Sequence, residues 1–234
     1  MKKKTLQEHS KSYYKEADYY QEFSKYEDYP KKIEKFLLSK IKGKIVLDLG
    51  CGSGKYLNVL APLSKKYYAL DVSKQQLRLA KEKAKKITNI RFFNSSAENI
   101  PLLDETIDII ISTWVVSTVI DFRRKRKILE EINRVLKNNC KIYLVENDSK
   151  GEFEKMRGHI KRTREYNNWL IKKGFKKVKK VKTYFKFPSF QIAELIFYKI
   201  WGKKVSNQIK SNIIEHQIVI FEKNKEKTAN LKSP

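Results

Sequence analysis

The stretch from Val46 to Leu57 reads VLDLGCGSGKYL: an apolar run, Asp48, then glycines at 50, 52 and 54. Glycines at this spacing let a backbone turn tightly and approach a ligand where a Cβ would collide. Two ligand chemistries compete for such a loop. A dinucleotide diphosphate needs G-x-G-x-x-G, with the diphosphate on a helix N-terminus and the third glycine allowing close helix packing. Counted from Gly50, that third glycine falls on Lys55; counted from Gly52, it falls on Leu57. Asp48 would also set a negative charge beside any diphosphate, whereas a carboxylate near the loop suits a cationic ligand bearing an ammonium group.

Side chains able to move a proton are few. His159, Glu146 and Asp148 are candidates, the two carboxylates at the exit of the fifth expected strand. Each also has a plainer reading, His159 as a surface residue among charges and the acidic pair as a turn before a helix. His9 and His216 are weaker candidates. Cys51 and Cys140 form neither a disulfide framework nor a metal-ligand spacing, so no metal is expected and a reducing interior fits best.

The elements that must hold these residues follow from periodicity. Short apolar runs, KIVLDLG, KKYYALDV, NIRFFNSS, TIDIIIST, CKIYLVEND, FKKVKKVKTYFKF and HQIVIFEKN, read as strands, most of them separated by amphipathic helices. Ser73 with Gln76 has the form of a capping box, Asp121 is the expected N-cap of the helix after the fourth strand, and Gly174 closes the next. Such alternation implies right-handed crossovers and a mainly parallel sheet covered on both faces, a three-layer α/β domain. Before it, SYYKEADYYQEFSKYEDYP holds six of the 13 tyrosines. This segment is either a lid with hydroxyls turned to a ligand or a helix covering the core edge. Pro30 then opens a helix that Gly43 stops. Ser189–Gly202, apolar nearly all round and too short to span a bilayer, is expected to be a buried inserted helix.

The chain of 234 residues is expected to be one domain: a helical lid over 1–42, a core over 43–188, a helical insertion over 189–215, a final strand over 216–224 and a disordered tail over 225–234. Without an apolar leader or a run long enough to span a membrane, it reads as cytoplasmic. Its 52 Lys and Arg against 26 Asp and Glu give a formal +26, which fits either a polyanion-binding surface or lysine-rich usage throughout. Arg123, Arg124, Lys125, Arg126 and Lys127 crowd the start of one helix, where cations oppose the helix dipole, a placement that makes sense beside a bound anion. Seven lysines between Lys172 and Lys182 form a second cluster.

VLDLGCGSGKYL resembles the first motif of the class I S-adenosylmethionine (SAM)-dependent methyltransferases, of the type 11-like domain, in which an acidic residue stands two before a G-x-G-x-G loop. The resemblance continues in register from about Tyr13 to Phe187 through YYALDVSKQQLRLAKEKA, FFNSSAENIPLLDETIDIIIST and ILEEINRVLKNNCKIYLVE. It implies a Rossmann-like sheet of seven mostly parallel strands and SAM as cofactor, with S-adenosylhomocysteine as product. By position it implies that Asp48, Gly50, Cys51, Gly52 and Gly54 form the methionine-side loop, that Asp71 accepts from the ribose hydroxyls, and that Val72 packs on adenine. Ser96, Ala97 and Glu98 fall at the adenine edge, Ser96 standing where the family often has an acidic residue. Ser112, Thr113 and Trp114 would approach the methionine end and the acceptor, with Tyr13, Tyr14, Tyr19 and Tyr20 as lid. Asn138 and Asn139 replace the family's Pro-Gly-Gly turn and tolerate left-handed backbone.

The expected activity is methyl transfer to a nitrogen or oxygen, less often carbon, of a small-molecule acceptor. The loop also resembles that of the tRNA wobble-uridine methyltransferases, whose histidines after the fourth strand are replaced here by VVSTVID. An RNA methyltransferase using Arg123 to Lys127 is therefore one alternative, and a non-catalytic adaptor that keeps the fold is another.

Overall fold

A computed structural model describes residues 17–225; His9, Tyr13 and Tyr14 lie outside the described residues. Helices α1 (Ala17–Tyr26) and α2 (Lys32–Ile41) precede β1 (Ile45–Leu49). Then come α3 (Leu57–Leu60), β2 (Lys66–Asp71), α4 (Lys74–Lys83), β3 (Ile90–Asn94) and β4 (Ile107–Thr113). α5 (Phe122–Val135) leads into β5 (Leu136–Asn147), and α6 (Glu152–Met156) and α7 (Ile160–Lys172) into β6 (Lys176–Lys186). α8 (Phe190–Trp201) and α9 (Lys203–Ser206) precede β7 (Ile213–Asn224). The strands form one sheet in the order β3-β2-β1-β4-β5-β7-β6, with the first five parallel and β7 antiparallel to both its neighbours.

The pleat explains why both faces are apolar. Val46 of β1 points to one side, where it meets Leu37 and Ile41 of α2 and Leu77 of α4; Leu47 and Leu49 point to the other, where Ile128 and Ile132 of α5 and Leu170 of α7 close the layer. A third apolar cluster joins Phe23 of α1, Phe153 of α6, Phe185 of β6 and Phe197 of α8. Phe23 and Phe153 lie 4.7 and 4.9 Å from the Phe185 ring, edge-on or tilted contacts favoured by ring quadrupoles. This cluster binds the N-terminal helix and the late helices into one roof packed against β6 and β7.

Local signals were read correctly where they are chemical. Ser73 accepts from the Gln76 N–H and Asp121 from the Arg123 N–H, each capping its helix, and Asn139 takes a left-handed backbone with φ 60°. Three features differ from expectation. α6 has no apolar repeat long enough to announce a helix, being five residues long. α8 buries one face only, through Ala193, Ile196, Phe197 and Ile200, and leaves Ile192, Leu195 and Tyr198 in solvent, because it lies on the roof rather than inside it. Lys225, expected to begin a disordered tail, is buried and donates to the Leu136 carbonyl at 2.9 Å. Among the described residues no helix is long and apolar enough to cross a membrane.

Asp28 ties α2 to the sheet edge. Its buried carboxylate accepts from the N–H groups of Ile33 at 3.0 Å and Glu34 at 2.9 Å, groups left open by the start of a helix, and from the Thr183 hydroxyl at 3.3 Å. Replacing it with alanine strands these donors, so Asp28→Ala is expected to lower stability by about 2 kcal/mol, read as a shift of the urea midpoint without a change in slope.

Candidate functional site

The parallel register pairs Asp48 with Ala69 and Leu49 with Leu70, so the two strands end side by side. The loop after β1 therefore starts next to the acid that closes β2. Asp71 accepts from the Gly52 N–H at 2.9 Å and the Ser73 N–H at 2.8 Å; burial raises its pKa, opposed by these backbone bonds. Gly50 has φ 78°, and a Cβ there would fall 2.2 Å from the Val115 side chain, so the loop cannot take this path with another residue.

Above the loop opens a cavity of about 690 Å³, a size usual for small-ligand sites. Gly50, Cys51, Gly52, Asp71 and Val72 line it at one end, with Ser95 and Ala97 beside Val72. Tyr20 and Phe23 of α1 and Glu27 just after it line it with Thr113 and Trp114 from the β4 exit. Phe153, Glu154, Arg157, His159, Arg162, Thr163, Tyr166 and Trp201 line it from the late helices.

Several expected residues stand elsewhere. Asp48 does not line the cavity: it lies beneath the loop, accepts from the Tyr67 hydroxyl at 2.9 Å, and is pushed up to about 7 by burial, with the Asp71 charge adding to the rise. The pleat that buries Val46 buries Asp48 on the same face, so it supports the loop instead of meeting a ligand's ammonium directly. Gly54 also packs inward, where a Cβ would lie 2.5 Å from Leu57 Cδ1. Ser96 accepts from the Glu98 N–H within a turn and is off the wall, as is Glu98, which pairs with Arg124 at 2.6 Å. The Ser112 hydroxyl is buried without a partner, and Tyr19 is off the wall.

Of the proton-transfer candidates, His159 lines the cavity at the start of α7, and Asp148 does not. Glu146 is fully buried one layer back, where its Oε1 accepts from the Tyr166 hydroxyl at 2.8 Å and burial pushes it up to about 7. His216 lies behind the wall, stacked on Phe185 at 4.5 Å, with Nε2 2.8 Å from Asn147 Oδ1. Burial, then the Arg157 and Lys55 charges, depress its pKa well below the ordinary value, so it is neutral. The basic cluster is broken up as well. Lys125 is buried, with its ammonium 4.4 Å from the Phe122 ring and 4.5 Å from Tyr166, and is lowered to about 8 by burial. It sits on the inward stripe of α5 between aromatic rings and cannot reach an external polyanion.

Sequence reasoning missed what holds the roof down. Lys55, the residue that spoils the dinucleotide fingerprint, pairs with Glu27 at 2.6 Å and lies 5.2 Å over the Trp114 ring. Trp114 has φ 56°, a left-handed conformation rare for a bulky side chain and found at functional sites, and its buried Nε1 has no hydrogen-bond partner among the described residues. Glu154 accepts from Asn147 at 2.7 Å and also from Arg157 and Thr163. Glu27, Glu154, Arg157 and Thr163 belong to no motif in the sequence; the one local signal is the acidic first turn of α6 after Gly151.

The geometry agrees with what comparison finds. Residues 47–144 match the family model described as a methyltransferase domain. An uncharacterized methyltransferase of Bacillus subtilis is 31% identical over 103 residues, covering 43% of this chain and 40% of the relative. Its crystal structure superposes with a TM-score of 0.58 at 16% identity over 83% of this chain and 96% of that one. A malonyl-[acyl-carrier protein] O-methyltransferase of Marinomonas is 30% identical, covering 50% of this chain and 44% of the relative. A tRNA (carboxymethyluridine(34)-5-O)-methyltransferase of Arabidopsis thaliana is 33% identical, covering 45% and 24%. The chain thus spans less than half the length of these curated relatives. Residues 47–144 thus carry the methyltransferase-domain match, and the acid-closed second strand, the G-x-G-x-G loop and the sheet order resemble those of the class I SAM-dependent methyltransferases.

Proposed function

We propose that the protein transfers a methyl group from SAM to a small-molecule acceptor held in the roofed cavity. The observation that carries this reading is the Asp71–Gly52 junction opening onto that cavity. A carboxylate has about four lone-pair sites, of which the Gly52 and Ser73 N–H groups take two, leaving acceptor capacity for a ribose diol. Val72, more than half exposed against the cavity, offers an apolar face for adenine, and Ser95 with Ala97 offers its edge. SAM supplies a strongly activated methyl carbon. The chain has only to align the acceptor and exclude water, which the roof of Tyr20, Phe23, Phe153 and Trp201 favours.

An acceptor proton, where there is one, has an exit through this chain's own groups. Tyr166 lines the cavity and donates to Glu146, whose pKa of about 7 lets it take up a proton near neutrality; His159 also lines the wall. The small-molecule reading is favoured over RNA because the Arg123 to Lys127 run is not a continuous surface: Lys125 is buried and Arg124 is paired with Glu98. The deciding experiment is transfer of labelled methyl from SAM into fractionated extract, scored separately for small molecules, RNA and protein. Label in the RNA fraction alone overturns the acceptor assignment, and calorimetry showing no binding of SAM or S-adenosylhomocysteine overturns the enzyme.

Two further outcomes are expected. Asp71→Ala removes charge-assisted bonds to the ribose and is expected to weaken S-adenosylhomocysteine by about 10- to 100-fold in calorimetry. Glu146 titrates higher in the folded chain than its ordinary 4.5, so the folded state binds the proton more readily. Its contribution to stability is present below pH 4.5 and is lost as pH rises through about 7, an effect on the order of 3 kcal/mol. Urea midpoints measured from pH 4 to 8 should therefore fall less steeply for Glu146→Gln than for the parent chain.

A further inference from the structure

The end of the cavity formed by α6 and α7 carries two guanidinium groups and one neutralising carboxylate on its wall. Arg157 is matched: it pairs with Glu154 and lies with its guanidinium carbon 4.1 Å from the Phe153 ring centre. Glu154 is itself fully engaged, since Asn147 and Thr163 donate to it as well. Arg162 is not matched. Its one hydrogen bond goes to the Ser117 carbonyl at 2.8 Å, and among the described residues no carboxylate lies within 4 Å of it. Burial, then the neighbouring Arg157 charge, press its pKa down, with the Glu154 and Glu146 charges opposing. Elsewhere on the wall the cations are answered: Lys55 by Glu27 and Arg124 by Glu98.

A half-buried guanidinium facing a cavity beside a second one is costly unless something negative completes it. A guanidinium is also the side chain best shaped to hold a carboxylate or phosphate through two parallel bonds. Around it stand an apolar wall of Phe153 and Trp201 and the hydroxyl-bearing Tyr20 and Tyr166. We propose that the methyl acceptor carries an anionic group that pairs with Arg162, with an apolar body lying against Phe153 and Trp201. This rests on the methyltransferase reading for its identification of the ligand as the acceptor. Carboxylate and phosphate share the recognising chemistry, and the experiment separates them.

The test uses the full chain saturated with S-adenosylhomocysteine, titrated calorimetrically with 3-phenylpropionate, phenyl phosphate and the neutral 3-phenylpropanol. At least one anion is expected to bind about tenfold or more tighter than the alcohol, and which anion does so names the group. Arg162→Gln should abolish that preference while leaving S-adenosylhomocysteine affinity within about twofold, and Arg162→Lys should restore part of it. Equal binding of anion and alcohol overturns the proposal, as does a preference that survives in Arg162→Gln or failure of all three probes to bind. A tenfold loss of S-adenosylhomocysteine affinity in Arg162→Gln overturns it too, by assigning Arg162 to the cofactor's own carboxylate. Should S-adenosylhomocysteine not bind the parent chain while the anions still do, the methyltransferase reading fails and the anion subsite stands.

Discussion

Everything at the site depends on one alignment: β1 and β2 run parallel and in a register that ends them together. Only then can the Gly52 N–H reach Asp71, 19 residues away, at 2.9 Å. That register is fixed from below, where one face of each strand must meet α2 and α4 and the other must meet α5. A slip of one residue would turn Asp48 and Tyr67 out of one core and force Leu47 into its place. Asp48 therefore contributes through the register and through the Tyr67 hydroxyl bond, as a buried strut beneath the loop.

The roof is held by a different physics. Its aromatic cluster is large and nondirectional, so it brings α1, α6 and α8 together without specifying where they sit over the loop. Direction comes from the Lys55–Glu27 pair, which joins the glycine loop to the segment just after α1, and from the chain of polar contacts that runs from His216 behind the wall to Asn147 and Glu154 on it. The Glu27 carboxyl is raised by burial, opposed by Lys55, and stands 3.5 Å from His216 Nδ1. Polar groups spaced through an otherwise apolar interface restrict it to one arrangement, because any other would leave them unpaired. The roof is thereby indexed to the loop it covers.

What the sequence discloses divides along the same line. Strands, caps and the glycine loop are local, each written in a few adjacent residues: Ser73 with Gln76, Asp121 with Arg123, Gly50 with Gly52. The glycine-loop end of the cavity is made of such pieces and is legible. The other end is not local. Arg157 just after α6, Arg162 of α7 and Trp201 of α8 line one cavity, and the packing of Phe153, Phe185 and Phe197 holds the elements that carry them. No spacing rule connects them. α6 illustrates the difficulty: five residues have no period to detect, yet they deliver Phe153 and Glu154 to the wall. Lys55 illustrates another, since a residue first read as the absence of a glycine has its own partner 28 positions earlier.

Net charge is the feature for which three dimensions change the reading most. The lysines from 172 to 182 fall largely on β6, the outermost strand, where Lys182 pairs with Glu215 and the rest face solvent; charge on an edge strand discourages pairing with another chain. Lys125 is withdrawn among aromatic rings. Among the described residues, the Arg123 to Lys127 run is thus interrupted by a buried lysine, and the lysines of β6 lie along a sheet edge. Charge in the interior counts for more than charge on the surface, because the low dielectric of a closed cavity strengthens each interaction and salt does not screen it. By that weighting the guanidinium of Arg162, with no carboxylate within 4 Å among the described residues, says more about the cavity than the external excess of lysine.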